Sequence, residues 1–245
     1  MSVGKGDSER HGDVLGLFSL NSDRILLYVA RILVLLIAIP AHESAHAWVS
    51  YKLGDPTAKN LGRISLNPAK HFDLTGTLCL LLLGFGWAKP VPINTQYYQN
   101  KKAGMALSSF AGPLSNFIMA FFFMVLLKVF YFLYIVNPQS DFYYIMHQVL
   151  FFMVFINIIL ALFNMIPVPP LDGSRIFLLF LPERIYFGVM RFERYTMVVI
   201  FALLWTGLLD RPLAIMQDWL FRFLGSATLF VDIAMRFLLT SGSSI

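Results

Sequence analysis

The sequence predicts an all-α protein that passes several times through a lipid bilayer. Two observations predict it. Hydrophobic residues make up 58% of the 245 positions and charged residues only 13%, against about 45–50% and about 25% in ordinary soluble domains. Mean hydropathy is +0.68, and the apolar residues gather in runs long enough to cross a bilayer, which takes about 20 helical residues. Too few charges remain to coat a water-soluble globule, and a chain this apolar does not stay disordered. A bundle of about five or six transmembrane helices is expected, with a re-entrant or β-hairpin-like insertion after the first.

The elements follow in order. Residues 1–24 form a mixed polar tail with no small-residue cleavage site, so no secretory signal is expected there. The first span is placed at 25–50 (ILLYVARILVLLIAIPAHESAHAWVS), with Pro40 expected to bend it. Residues 51–75 are polar and rich in turn formers such as Gly54, Asp55, Pro56, Asn60 and Gly62. The run TGTLCLLLLGFGW at 75–87 is too short to cross as a helix and is broken by Gly84 and Gly86; a re-entrant or buried segment fits it better. Pro90 and Pro92 forbid helix in AKPVPINTQYY at 88–98, which is read as extended or hairpin-like.

A second span is expected at about 103–134, interrupted early by Gly112-Pro113, and a third at about 142–165, stopped by Pro167, Pro169 and Pro170. A short apolar piece (176–181), a charged connector (182–194) and a further span (195–209) come next. Two further apolar segments follow, 213–224 and 226–239; the first carries Asp218 and Arg222 and suits the membrane interface. Three regions result: the tail 1–24, a membrane core 25–181, and C-terminal transmembrane or interfacial helices 182–245.

The chain carries 19 Lys+Arg against 14 Asp+Glu, a net charge of +5. The basic residues sit mostly between apolar runs, where lipid headgroups account for them, so membrane lipid rather than nucleic acid is the expected contact. If 75–87 is re-entrant, Lys52, Lys59, Arg63, Lys70, Lys89, Lys101 and Lys102 share one side with Arg175, Arg184, Arg191 and Arg194. The opposite loop at 135–141 has no lysine or arginine. The positive-inside rule makes the basic side cytoplasmic, and a multi-pass plasma-membrane protein is expected. The single cysteine, Cys79, permits no internal disulfide.

The most informative stretch is His42-Glu43-Ser44-Ala45-His46. On a helix, positions i and i+4 share a face, so both imidazoles can reach one metal ion. Glu43, rotated by about 100°, can reach a water at that ion without being a ligand, as a general base must. Two imidazoles and a carboxylate inside an apolar span cost several kcal/mol, since an acid alone costs about 2.5–3.5. A merely structural role would rarely justify that.

A catalytic zinc site needs a third protein ligand and one open position. Asp172, in Pro169-Pro170-Leu171-Asp172-Gly173 at the cytoplasmic end of the third span, is the best remaining carboxylate. His46 lies six residues before Lys52, about 9 Å along a helix, so both reach a similar shallow depth. A turn aspartate before glycine is the plainer reading of Asp172 alone. A His₂Asp set does not by itself exclude iron, cobalt or manganese. His71 is read as a solvated or capping residue and left out of the metal set, and Asn164 as a residue able to bond the Asp172 loop.

The segments HESAH (42–46), GDPTAKNLGRISLNPAKHFD (54–73), GFGWAKPVPIN (84–94), FAGPLSN (110–116) and NMIPVPPLDG (164–173) resemble the site-2 protease family of intramembrane zinc metalloproteases. The resemblance runs from about 42 to 175 and implies a short form, with no inserted PDZ domain or appended regulatory domain. It implies one zinc per chain on His42, His46 and Asp172, with Glu43 as catalytic acid/base. It places Asn116 beside the active site, orienting substrate or stabilising an oxyanion; inter-helix packing is the alternative for that residue. The implied activity is cleavage of transmembrane substrates near the cytoplasmic face. Such a substrate must unwind first, and the extended stretch AKPVPIN at 88–94, with Pro90 and Pro92 each lacking a donor, is read as one edge it can join as a strand. A metal transporter and a non-proteolytic binder of membrane helices are the competing classes. A transporter would be expected to spread its ligands through several spans. Oligomeric state is not readable.

Overall fold

The computed structural model describes residues 22–83, 86–182, 184–185, 188, 196, 200, 202 and 206–242. Most of the tail 1–24, of the connector 182–194 and of the span expected at 195–209 therefore lies outside the described residues. Those described contain helices and loops and no strand. The elements are α1 (Ser22–Leu33), a π-helical turn (Val34–Ala38), α2 (Ile39–Lys52), α3 (Thr57–Asn60) and α4 (Leu74–Leu83). They continue as α5 (Lys101–Val136), α6 (Asp141–Asn164), α7 (Asp172–Phe177), α8 (Asp210–Ala227) and α9 (Leu229–Gly242).

The protein is a multi-pass membrane protein. Tyr28–Lys52, Lys101–Val136 and Asp141–Asn164 are three stretches long and apolar enough to span, or up to four if the pair Asp210–Ala227 and Leu229–Thr240, bent by 48°, crosses as one. The expected five or six are not confirmed. Leu74–Leu83 makes a helix of only 10 residues, and the segments expected at 213–224 and 226–239 share a single bent pair.

Pro40 sits near the start of α2, immediately after the π turn. Proline has no N–H to give the preceding turn, and the helix passes the gap by widening, with Ile39 N–H donating to the Val34 carbonyl. Such single π turns are recurrent near functional sites. The break expected at Gly112-Pro113 does not occur: α5 runs unbroken over 36 residues with Pro113 inside it. Packing overrides the local defect, because Ala111, Gly112, Pro113 and Asn116 are all buried. The α5–α6 interface forms the core of the bundle, with Ala120, Met124 and Leu127 against Leu150, Val154 and Ile158, and Leu224 of α8 closing it.

A β-hairpin after the first span is likewise not confirmed; Pro90 and Pro92 deprive the segment of two donors that a ladder would need. The chain does go out and back. Lys89 N–H donates to the His71 carbonyl at 2.9 Å, joining the exit and return of the excursion. Gly76 and Gly86 make the close crossing possible, since a Cβ on Gly86 would lie 2.1 Å from the Gly76 carbonyl oxygen. Arg31 ties the excursion to α1 through the Leu81 carbonyl at 2.7 Å.

One mid-span charge was not anticipated as a contact. Lys128, within α5, reaches both Asp232 of α9 and the Gly225 carbonyl at the α8–α9 bend. The pairing explains how a lysine is tolerated there, since a buried charge needs a partner.

Candidate metal centre

Three elements build the centre. His42 and His46 lie one turn apart on the buried face of α2. Asp172 opens α7, after the Pro-rich turn folds the chain back on the end of α6. Gly173 permits that fold: a Cβ there would sit 2.3 Å from the Met165 carbonyl. Gly112 of α5 closes the floor, where a Cβ would fall 2.3 Å from His46 Nε2 and 2.5 Å from His42 Cε1. The glycine is what lets α5 approach the rings.

The three expected ligands converge. His46 Nε2 lies 2.9 Å from His42 Nε2, and Asp172 Oδ2 is 3.2 Å from each. Donors bound at 2.0–2.1 Å in a tetrahedral zinc site are about 3.3–3.4 Å apart, so the triangle is close to the size one ion requires. His46 Nδ1 is 2.7 Å from the Ser108 carbonyl. A carbonyl only accepts, so Nδ1 carries the proton and the Nε2 lone pair is directed at the other two atoms. Lone pairs packed this closely repel unless a cation or a proton lies among them. The donor set fits a divalent metal, and no other group of three or more His, Cys, Asp or Glu among the described residues does.

Glu43 is half-buried on α2, and its charge acts on His46 and on Arg63. Asn116 lies one turn beyond Gly112 on α5; it is fully buried, and neither amide atom has a hydrogen-bond partner. A buried amide left unpaired costs free energy, so packing alone is a poor account of it. Two readings of the sequence need correction. Asn164 does not bond the Asp172 loop but donates to the Leu160 carbonyl of its own helix at 3.0 Å. Of the two alternatives for His71 the capping one holds, its N–H donating to the Pro68 carbonyl at the end of the turn Pro68–Lys70, and the solvated one does not: the residue is fully buried, with Nε2 2.7 Å from the Ser65 carbonyl.

Sequence reasoning passed over two buried charges in the neighbouring loop. Asp55 is fully buried and Arg63 is 6% exposed, the one buried lysine or arginine among the described residues. In sequence Asp55 reads as a turn former and Arg63 as one of the basic residues of the cytoplasmic side. The signal available was their position beside Gly54 and Gly62, whose positive φ angles of 107° and 67° mark tight turns that draw the loop inward.

The model of peptidase family M50 matches residues 133–207. Three relatives, each named "Putative zinc metalloprotease", match more widely. YwhC of Bacillus subtilis is 38% identical over 194 residues, 76% of this chain and 87% of its own. Rip2 of Mycolicibacterium smegmatis is 23% identical over 231 residues, 90% of this chain and 85% of its own. MJ0611 of Methanocaldococcus jannaschii is 28% identical over 162 residues, 65% of this chain and 75% of its own. No solved structure matches the chain.

Apolar spans, a three-donor centre between them and this degree of likeness define a membrane metalloprotease whose metal is zinc. The chain belongs to peptidase family M50, the site-2 protease family.

Proposed function

We propose that the chain cuts transmembrane segments of other membrane proteins near the cytoplasmic face of the plasma membrane, the chemistry of regulated intramembrane proteolysis. His42, His46 and Asp172 would hold the zinc and Glu43 would move the protons. The convergence of two Nε2 atoms and one Oδ2 within 3.2 Å of one another, between apolar spans, carries the reading. When bound, zinc supplies Lewis acidity that lowers the pKa of a coordinated water to about 7 and polarises the scissile carbonyl.

The chain's own groups account for the rest. Glu43 takes a proton from the attacking water and returns it to the departing amine. The unpaired Asn116 amide donates to the carbonyl oxygen as negative charge grows there. Asn116→Ala is expected to lower kcat by about 100-fold or more with zinc content unchanged, read by cleavage rate and metal analysis on the same sample. The cytoplasmic placement draws support from the clustering of lysines and arginines in the loops on one side of the three spans. A substrate helix must unwind before its carbonyl is accessible, and the extended segment 88–94 offers a place for it to add as a strand.

The test is reconstitution into liposomes with a panel of single-span peptides. Cuts inside the apolar span, abolished by a zinc chelator and restored by zinc, are expected. Cuts confined to the soluble flanks would contradict the intramembrane reading.

A further inference from the structure

Both backbone groups of Lys89 are bound: its N–H donates to the His71 carbonyl, and its carbonyl accepts from Arg63 Nη2. Five residues on, the Asn94 N–H donates to Asp55 Oδ2 at 2.8 Å. Between these points Pro90 and Pro92 have no N–H, and no hydrogen bond reaches the backbone of Val91 or Ile93 among the described residues. In an extended segment alternate residues turn their backbone groups to the same edge. Among the described residues the stretch therefore has one edge with unpaired donors and acceptors, at Val91 and Ile93, and two fixed ends.

The fixing groups are the two buried loop charges. They have opposite signs and form no ion pair with each other. Burying a charge is costly unless hydrogen bonds compensate it, and each puts one of its bonds on an end of the same short segment. Asp55 also accepts from Ser50 Oγ of α2 at 3.0 Å and from the Thr57 N–H at 2.9 Å, and Tyr98 OH meets Ser50 Oγ at 2.8 Å. Burial pushes the Asp55 carboxyl up, but the hydrogen bonds from Thr57, Asn94 and Ser50 outweigh it and hold it below the usual carboxylate range. Burial pulls the Arg63 guanidinium down, and the charge of Glu43 opposes that pull. One anchor is thus tied to the helix carrying the histidines, and the other lies within electrostatic reach of the proposed catalytic acid.

We propose that Arg63 and Asp55 are positioning residues that clamp the entry and exit of segment Lys89–Asn94, holding its Val91/Ile93 edge ready for an unwound substrate strand. This rests on the proposed reading of 88–94 as the substrate edge. Clamping removes in advance the ordering cost that a loose segment would incur on binding.

The test uses the full-length zinc-loaded protein in detergent with Asp55→Asn and Arg63→Gln, and Arg63→Lys as the conservative variant. An asparagine at 55 cannot accept all three bonds, because half its amide is a donor. Hydrogen exchange should speed up by about tenfold or more at the Asn94 amide in Asp55→Asn and at the Lys89 amide in Arg63→Gln, as expected for losing a charged hydrogen bond at each end. Arg63→Lys should recover part of the protection. For a transmembrane peptide, KM should rise by a similar factor of about ten, with kcat changed far less and zinc content intact. Unchanged exchange in a folded, zinc-loaded variant would overturn the clamp. Faster exchange with unchanged KM would leave the clamp standing and refute the substrate edge. The two variants act on opposite ends, so failure of one to fold leaves the other decisive.

Discussion

Glu43→Gln is expected to leave a folded protein with its full zinc content and almost no peptidase activity. Glutamine keeps the shape of glutamate and the half-buried place on α2 but cannot accept a proton. General acid–base catalysis by one positioned side chain contributes about 10²–10⁴ in rate, and kcat should fall by that factor. The flanking His42 and His46 are untouched, so metal analysis of the same preparation should match the wild type. Cleavage of a single-span peptide by both proteins, normalised to bound zinc, is the measurement. Equal turnover would end the assignment of Glu43 and leave the centre without its base.

Asp172→Ala is expected to abolish tight zinc binding. The substitution reduces three converging donors to two, and no other cluster of metal-ligating side chains lies among the described residues to replace the third. Losing an outer-sphere partner alone costs about 10–100-fold in metal affinity, and losing a ligand should exceed that range. Competition against a chromogenic chelator reads the affinity directly. The helices should survive the change, because the α5–α6 core of Ala120, Met124, Leu127, Leu150, Val154 and Ile158 contains none of the centre's residues. Full zinc retention in a protein with unaltered helicity would show that the carboxylate is not a ligand.

The histidines were legible in the sequence because helical periodicity alone puts positions 42 and 46 on one face, and an apolar span makes their cost conspicuous. Asp172 was legible as a matter of depth, since both span ends fall on the basic side. What brings it within 3.2 Å of the rings is Gly112 and Gly173, which remove Cβ atoms where α5 meets the imidazoles and where α7 meets Met165. That role lies in the approach of helices, which periodicity cannot show.

Local propensity misled where tertiary packing won. Gly112-Pro113 looked like a break, yet the buried face of α5 holds the helix continuous through it. Turn-rich 51–75 looked like solvated loop, yet Asp55, Arg63 and His71 are all buried. Polar residues in a loop give no periodic signal, so burial there is decided by partners distant in sequence: Asn94 for Asp55 and Lys89 for Arg63, 39 and 26 residues away. The expected five or six spans are not confirmed among the described residues, where apolar content alone does not distinguish a crossing helix from the short α4 or the bent α8–α9 pair.

Zinc K-edge absorption on the purified protein tests the central claim most directly. Two imidazole nitrogens at about 2.0–2.1 Å and oxygen at about 2.0–2.2 Å, with no sulfur, are expected, and His46→Ala should remove one imidazole from the spectrum. A sulfur shell at about 2.3 Å, or a spectrum indifferent to loss of His46 and Asp172, would contradict a centre built on these three residues.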